Sequence, residues 1–148
     1  MRNFPKTIEL LLVEDDPEDV ELTREGLRAA HVVVNMHVVD DGDKALRYLR
    51  KQEPYQDATR PDMVLLDLNM PRMSGRDVLR EIRKDDALKD LPIIVLTTSE
   101  AEADVAACYR LGANSYITKP VGCDAFGRVM RELESFWFKI AKMPRHDE

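Results

Sequence analysis

Six polar residues stand where apolar runs stop. Glu14 and Asp15 follow residues 8–13, Asp67 follows residues 63–66, Thr97 and Thr98 close residues 92–97, and Lys119 follows residues 115–118. If these runs are parallel strands of one sheet, their carboxyl ends share one edge, the edge where ligands collect in open α/β sheets. Three carboxylates would then converge with one ammonium. Like charges packed together are costly without a counter-ion. A divalent cation closes the balance, and an all-oxygen donor set that retains water suits Mg²⁺. For any one of these residues a solvated loop position is the ordinary account. Their placement on successive strand ends argues against that account for the set.

The elements that must position them follow from spacing. Residues 8–13 form an apolar run ended by Glu14, Asp15 and Asp16. Pro17 stands where a helix tolerates proline best, Asp16 can cap that helix, and Asp19 falls in capping-box register. Val20, Thr23, Leu27 and Ala30 give the helix one apolar face. The β-branched residues 32–39 predict a second strand, and Ala45, Leu46 and Leu49 mark a short second helix after Asp40, Asp41 and Gly42. Residues 51–61 are polar, lack a period and predict one long loop. Met63, Val64, Leu65 and Leu66 are apolar on both parities, as in a strand buried on both faces. Val78, Leu79 and Ile82 face a third helix inward. Ser99 and Glu102 are spaced as the capping box of a fourth helix, which Gly112 ends. Residues 115–118 predict a fifth strand, and a last helix runs over about residues 124–142. Strands alternating with helices call for a parallel sheet covered on both faces.

Composition narrows the class. The chain has 148 residues, 44% hydrophobic and 34% charged, which fits a single globular domain. Its formal net charge of −6 argues against a general nucleic-acid binder. No apolar run approaches the roughly 20 residues that span a bilayer, and the N-terminus lacks the apolar core of a signal peptide. Cys108 and Cys123 make no C-x-x-C pair, which fits two free thiols in a reducing cytoplasm. The three histidines, His31, His37 and His146, are scattered and do not predict an imidazole metal site.

Together the motifs resemble the receiver domain of two-component response regulators. The matching stretches are Leu12-Val13-Glu14-Asp15-Asp16, Leu65-Leu66-Asp67-Leu68-Asn69-Met70-Pro71, Gly75, Leu96-Thr97-Thr98 and Tyr116-Ile117-Thr118-Lys119-Pro120, in the family's order over nearly the whole chain. The resemblance implies a flavodoxin-like, doubly wound five-stranded parallel sheet of order 2-1-3-4-5 with five helices, the last extended. It implies one receiver domain, with a core over about residues 7–138 and a C-terminal extension over about 139–148. It implies that Asp67 accepts a phosphoryl group from a sensor histidine kinase or a phosphotransfer protein. Mg²⁺ would be held by the side chains of Asp15 and Asp67, by the Asn69 carbonyl, and by Glu14 through water. Lys119 and Thr97 would contact the phosphoryl group, and Tyr116 would fill the space Thr97 leaves. The bond between Lys119 and Pro120 would be cis, a form that is inexpensive before proline. Catalysis would be limited to the chain's own phosphorylation and dephosphorylation.

Other chemistries fit less well. A phosphatase of the haloacid dehalogenase type needs a second Asp two residues past the nucleophile, where Asn69 stands. A flavodoxin-like flavin binder needs a Ser, Thr and Gly-rich first loop, and Glu14-Asp15-Asp16 repels phosphate. A degenerate receiver would have lost an acidic residue, the acceptor or the lysine, and all are present. An intermediate of a multistep phosphorelay remains an alternative to a terminal regulator. No effector module is expected after the last helix, so the output should be docking to a partner or onward phosphotransfer.

The end of the last helix differs from its start. Over about 19 residues it would be roughly 28 Å long, while a strand of five or six residues covers about 17–20 Å. Its final turns should overhang the sheet, yet they carry Phe136, Trp137, Phe138 and Ile140. An apolar patch in that position marks an interface and predicts a symmetric homodimer, unless the segment around Phe4 folds back over it. Residues 134–144 and the long loop also resemble the small regulators paired with bacterial phytochromes, whose bilin would belong to the kinase.

Overall fold

The computed structural model describes residues 7–28 and 33–140, with the side chains of 138–140 excepted. Five strands alternate with five helices: β1 (Thr7–Val13), α1 (Pro17–Arg28), β2 (Val33–Val39), α2 (Gly42–Leu49), β3 (Met63–Leu66), α3 (Gly75–Lys84), β4 (Ile93–Thr97), α4 (Glu102–Arg110), β5 (Ser115–Thr118) and α5 (Cys123–Leu133). All pairings are parallel, and the order is β2-β1-β3-β4-β5. The chain thus adopts the doubly wound fold its alternation predicts.

The central strands are apolar at every position because both faces are covered. All four residues of β3 are fully buried, and each such aliphatic side chain contributes about 1.5–3 kcal/mol. Alternation divides them between two layers. Leu11, Val13, Val64, Leu66, Ile93 and Val95 pack with the inner faces of α2, α3 and α4. Leu10, Leu12, Leu65, Ile94 and Leu96 pack with Leu27 of α1 and with Phe126 and Met130 of α5. Gly26 lets those two helices meet: a Cβ there would lie 2.5 Å from that of Met130.

Several local expectations are corrected. Ser99 does not cap α4. The cap position is Ala101, which offers no side-chain acceptor, while the Ser99 hydroxyl donates to Asp104 at 2.5 Å. A carboxylate is the stronger acceptor, so the hydroxyl turns to it. Among the described residues the cis peptide joins Glu53 to Pro54, and the bond between Lys119 and Pro120 is trans. The two isomers before proline differ by only about 0.5–1 kcal/mol, so surrounding contacts decide.

The last helix also changes character. Its α-helical hydrogen bonding ends at Leu133 and a π-helical segment spans Glu134–Ile140. Trp137 is half-buried against the α1–α5 layer, whereas Phe136 is 51% exposed and meets Trp137 edge-on. The side chains of Phe138 and Ile140 lie outside the described residues, as do Phe4, Ala30 and residues 141–148.

Candidate functional site

Backbone hydrogen bonds carry each site residue one step beyond its strand. The Asp67 amide donates to the Val13 carbonyl at 3.0 Å, that of Glu14 to Val39 at 3.0 Å, and that of Lys119 to Thr97 at 2.7 Å. The sheet therefore fixes where these main chains run. Gly75 seats the loop after β3. A Cβ at that position would stand 2.3 Å from the Asp67 carbonyl oxygen, so only glycine permits this approach. Ser74 caps α3 there, accepting from the Asp77 amide.

Glu14, Asp15 and Asp67 each bring a carboxylate oxygen to within 4.8 Å of the others. Glu14 and Asp67 are buried and Asp15 is exposed. Burial raises the Glu14 carboxyl to about 7, the Asp67 charge adds to this, and Lys119 opposes it. Formally the three carboxylates outnumber the one ammonium among them. Donor type and spacing fit a hard divalent cation held by oxygen.

The Lys119 ammonium lies among these groups, 2.5 Å from Glu14 Oε1, 2.8 Å from Asp19 Oδ2 and 3.7 Å from Asp67 Oδ2. Burial pushes its pKa down, but hydrogen bonds to Asp19 and Glu14 and the charge of Asp67 outweigh this and hold it above its ordinary value. Spacing alone puts Asp19 in a capping box. Asp16 does accept from the Glu18 amide as expected of a cap, but the Asp19 carboxylate turns to Lys119 instead. Its signal in the sequence was weak: a carboxylate in the first helical turn, one turn beyond Asp15.

Thr97 ends β4 on the face of Val95, the face against which Tyr116 packs. It is fully buried, and its hydroxyl has no hydrogen-bond partner among the described residues. Such a group is costly to leave unpaired. The Tyr116 hydroxyl donates to the Ser99 carbonyl at 2.9 Å. Asn69 is exposed two residues past Asp67. Phe136 and Trp137 belong to the π-helical segment after α5 rather than to this cluster.

A five-stranded 2-1-3-4-5 sheet with an acidic cluster, a buried carboxylate at Asp67 and a lysine at its carboxyl edge has the form of a receiver. Residues 10–130 match the model of the response regulator receiver domain, and the chain belongs to that family. It is 39% identical to the response regulator Rcp1 of Synechocystis sp. over 142 residues, which are 96% of this chain and 95% of the relative. A crystal structure of the phosphorylated cyanobacterial phytochrome response regulator RcpA superposes with a TM-score of 0.91 at 39% identity, covering 95% of this chain and 100% of that one. The Mn²⁺-bound form of Rcp1 gives a TM-score of 0.89 at 38% identity, covering 93% and 99%. Among the described residues no helix is long and apolar enough to cross a membrane.

Proposed function

We propose that Asp67 is the phosphoryl acceptor of a response regulator driven by a sensor histidine kinase. The observation that carries this reading is the buried Asp67 carboxylate with an ammonium 3.7 Å away inside an acidic cluster. An Asp67 oxygen attacks phosphorus in line, and the bond from phosphorus to the donor imidazole nitrogen breaks with its electron pair on that nitrogen. Lys119 meets charge on the transferred oxygens. Thr97 offers them the one buried hydroxyl hydrogen that has no acceptor among the described residues. Asp15 and Asp67, with the Asn69 carbonyl and Glu14 through water, would hold Mg²⁺. When bound, the ion neutralises the phosphoryl oxygens that otherwise repel the carboxylate.

The product replaces one carboxylate charge by roughly two on the phosphate. Thr97 turns toward it and Tyr116 follows inward, so the surface of α4 and β5 reports phosphorylation. Catalysis by the chain is confined to its own phosphorylation and dephosphorylation. Likeness to Rcp1 and RcpA supports a phytochrome-type kinase as donor. The free Cys108 and Cys123 fit a cytoplasmic setting, and the acidic composition supports a protein rather than a nucleic-acid partner. Exposed Phe136 supports a homodimer through the π-helical segment after α5.

The test is phosphotransfer from a labelled phytochrome-type kinase with and without Mg²⁺. Label should reach this chain only with the ion, and Asp15→Asn should weaken Mg²⁺ binding. Transfer that proceeds equally in chelator would overturn the metal assignment.

A further inference from the structure

The Lys119 ammonium does not point simply at the acceptor. It lies 2.5 Å from Glu14 Oε1, 2.8 Å from Asp19 Oδ2 and 3.7 Å from Asp67 Oδ2. Asp19 rides on the first turn of α1, which is held rigidly. The Asp19 carbonyl accepts from the Thr23 hydroxyl at 2.8 Å, and the turn is fastened by the bond from the Val20 amide to Asp16. Further along, Gly26 lets α1 approach Met130 of α5 closely. The Asp19 carboxylate is thus carried on a short side chain from a hydrogen-bonded helical turn. The lysine, with its flexible four-carbon stem, is the more mobile partner.

We propose that Asp19 is a positioning residue that competes with the acceptor site for Lys119 and so restrains the resting state. This rests on the reading of Asp67 as phosphoacceptor. A phosphoryl group on Asp67 brings new negative oxygens next to an ammonium already within 4 Å of that carboxylate. To meet them Lys119 must loosen its bond to Asp19. Whatever that bond contributes in the resting site is subtracted from the binding of the phosphoryl group. By reciprocity, phosphorylation releases the Asp19 carboxylate on the exposed first turn of α1. Among the described residues no other carboxylate of α1 contacts Lys119. Glu18, its neighbour on the same turn, is exposed and donates its amide to Asp16.

The experiment is a beryllofluoride titration at saturating Mg²⁺, with the Lys119 ammonium followed by ¹⁵N NMR. Asp19→Asn should tighten beryllofluoride binding about two- to fivefold, the upper range of one partly exposed ion pair. It should also move the resting Lys119 signal toward its bound position. Glu18→Gln removes the same charge without the contact and should bind as wild type. In a Lys119→Met background Asp19→Asn should have no effect. Unchanged or weaker binding by Asp19→Asn, or equal tightening with and without the lysine, would overturn the proposal. If wild type does not bind beryllofluoride, or Asp67→Asn binds it equally well, the acceptor assignment itself falls and this proposal with it. If wild type binds and Asp67→Asn does not, a null result at Asp19 counts against the restraint alone.

Discussion

The Tyr116 hydroxyl donates to the main-chain carbonyl of Ser99 at 2.9 Å, tying β5 to the loop that follows β4. The same loop is held from its other side, because the Ser99 hydroxyl donates to Asp104 and Asp104 pairs with Arg76 of α3 at 2.5 Å. Beneath this arrangement Thr97 keeps its hydroxyl buried and unpaired among the described residues. The loop therefore has a defined resting position, and Thr97 has a reason to move when an acceptor arrives. In Thr97→Val the fold should be as stable as wild type or more stable by about 1 kcal/mol, since an unpaired buried hydroxyl is removed. Urea unfolding measures this. The Tyr116 ring resonances should then no longer respond to beryllofluoride.

Gly75 makes a second prediction. An added methyl would meet the Asp67 carbonyl oxygen at 2.3 Å and the Leu68 Cα at 2.8 Å, both backbone atoms that cannot rotate away. Gly75→Ala should cost about 1–3 kcal/mol by overpacking. It should also displace the acceptor loop, lowering the phosphorylation rate. A variant with wild-type unfolding and wild-type labelling would show that the loop yields freely.

Asp41 caps α2, accepting from the Lys44 amide at 2.7 Å and from Arg72 at 2.5 Å. Burial pushes its carboxyl up, but these bonds outweigh it and hold the pKa below the ordinary value of 3.8. A lowered pKa gives stability that is present above the ordinary value and is lost as pH falls through the folded value. Asp41→Asn keeps the amide bond and loses the charge. Because Arg72 is largely exposed, the loss at neutral pH should be about 1 kcal/mol. The difference from wild type should close below about pH 4. Urea titrations across that range check the sign.

In the π-helical segment after α5, burial separates the roles of two aromatics. Trp137 packs on the core and Phe136 is 51% exposed. Phe136→Ala should leave monomer stability near wild type and weaken the proposed dimer about tenfold or more, as truncation of an interface anchor does. Sedimentation equilibrium decides this. A wild type that stays monomeric at high concentration, with and without beryllofluoride, would rule the dimer out.

The elements and the strand-end residues were legible because each leaves a local mark. The apolar run ending at Asp67, for instance, has no helical period and no polar face. Asp19 was not legible, because its partner lies 100 residues away and capping offered a nearer explanation. Ser99 shows the same limit: a hydroxyl chooses among acceptors that only tertiary structure brings close. The isomer before Pro120 has no signature in side-chain pattern. Nor does the switch to π hydrogen bonding at Glu134, in the segment where Trp137 packs on the core and Phe136 stays exposed.

Phosphorylation is expected at Asp67. Phosphorylation of wild type and Asp67→Asn with a labelled donor and Mg²⁺, followed by peptide mapping, tests it most directly. Label should appear on the peptide containing Asp67, be lost in alkali as an acyl phosphate is, and vanish in Asp67→Asn. Full labelling of Asp67→Asn, or label mapped to any other peptide, would contradict it.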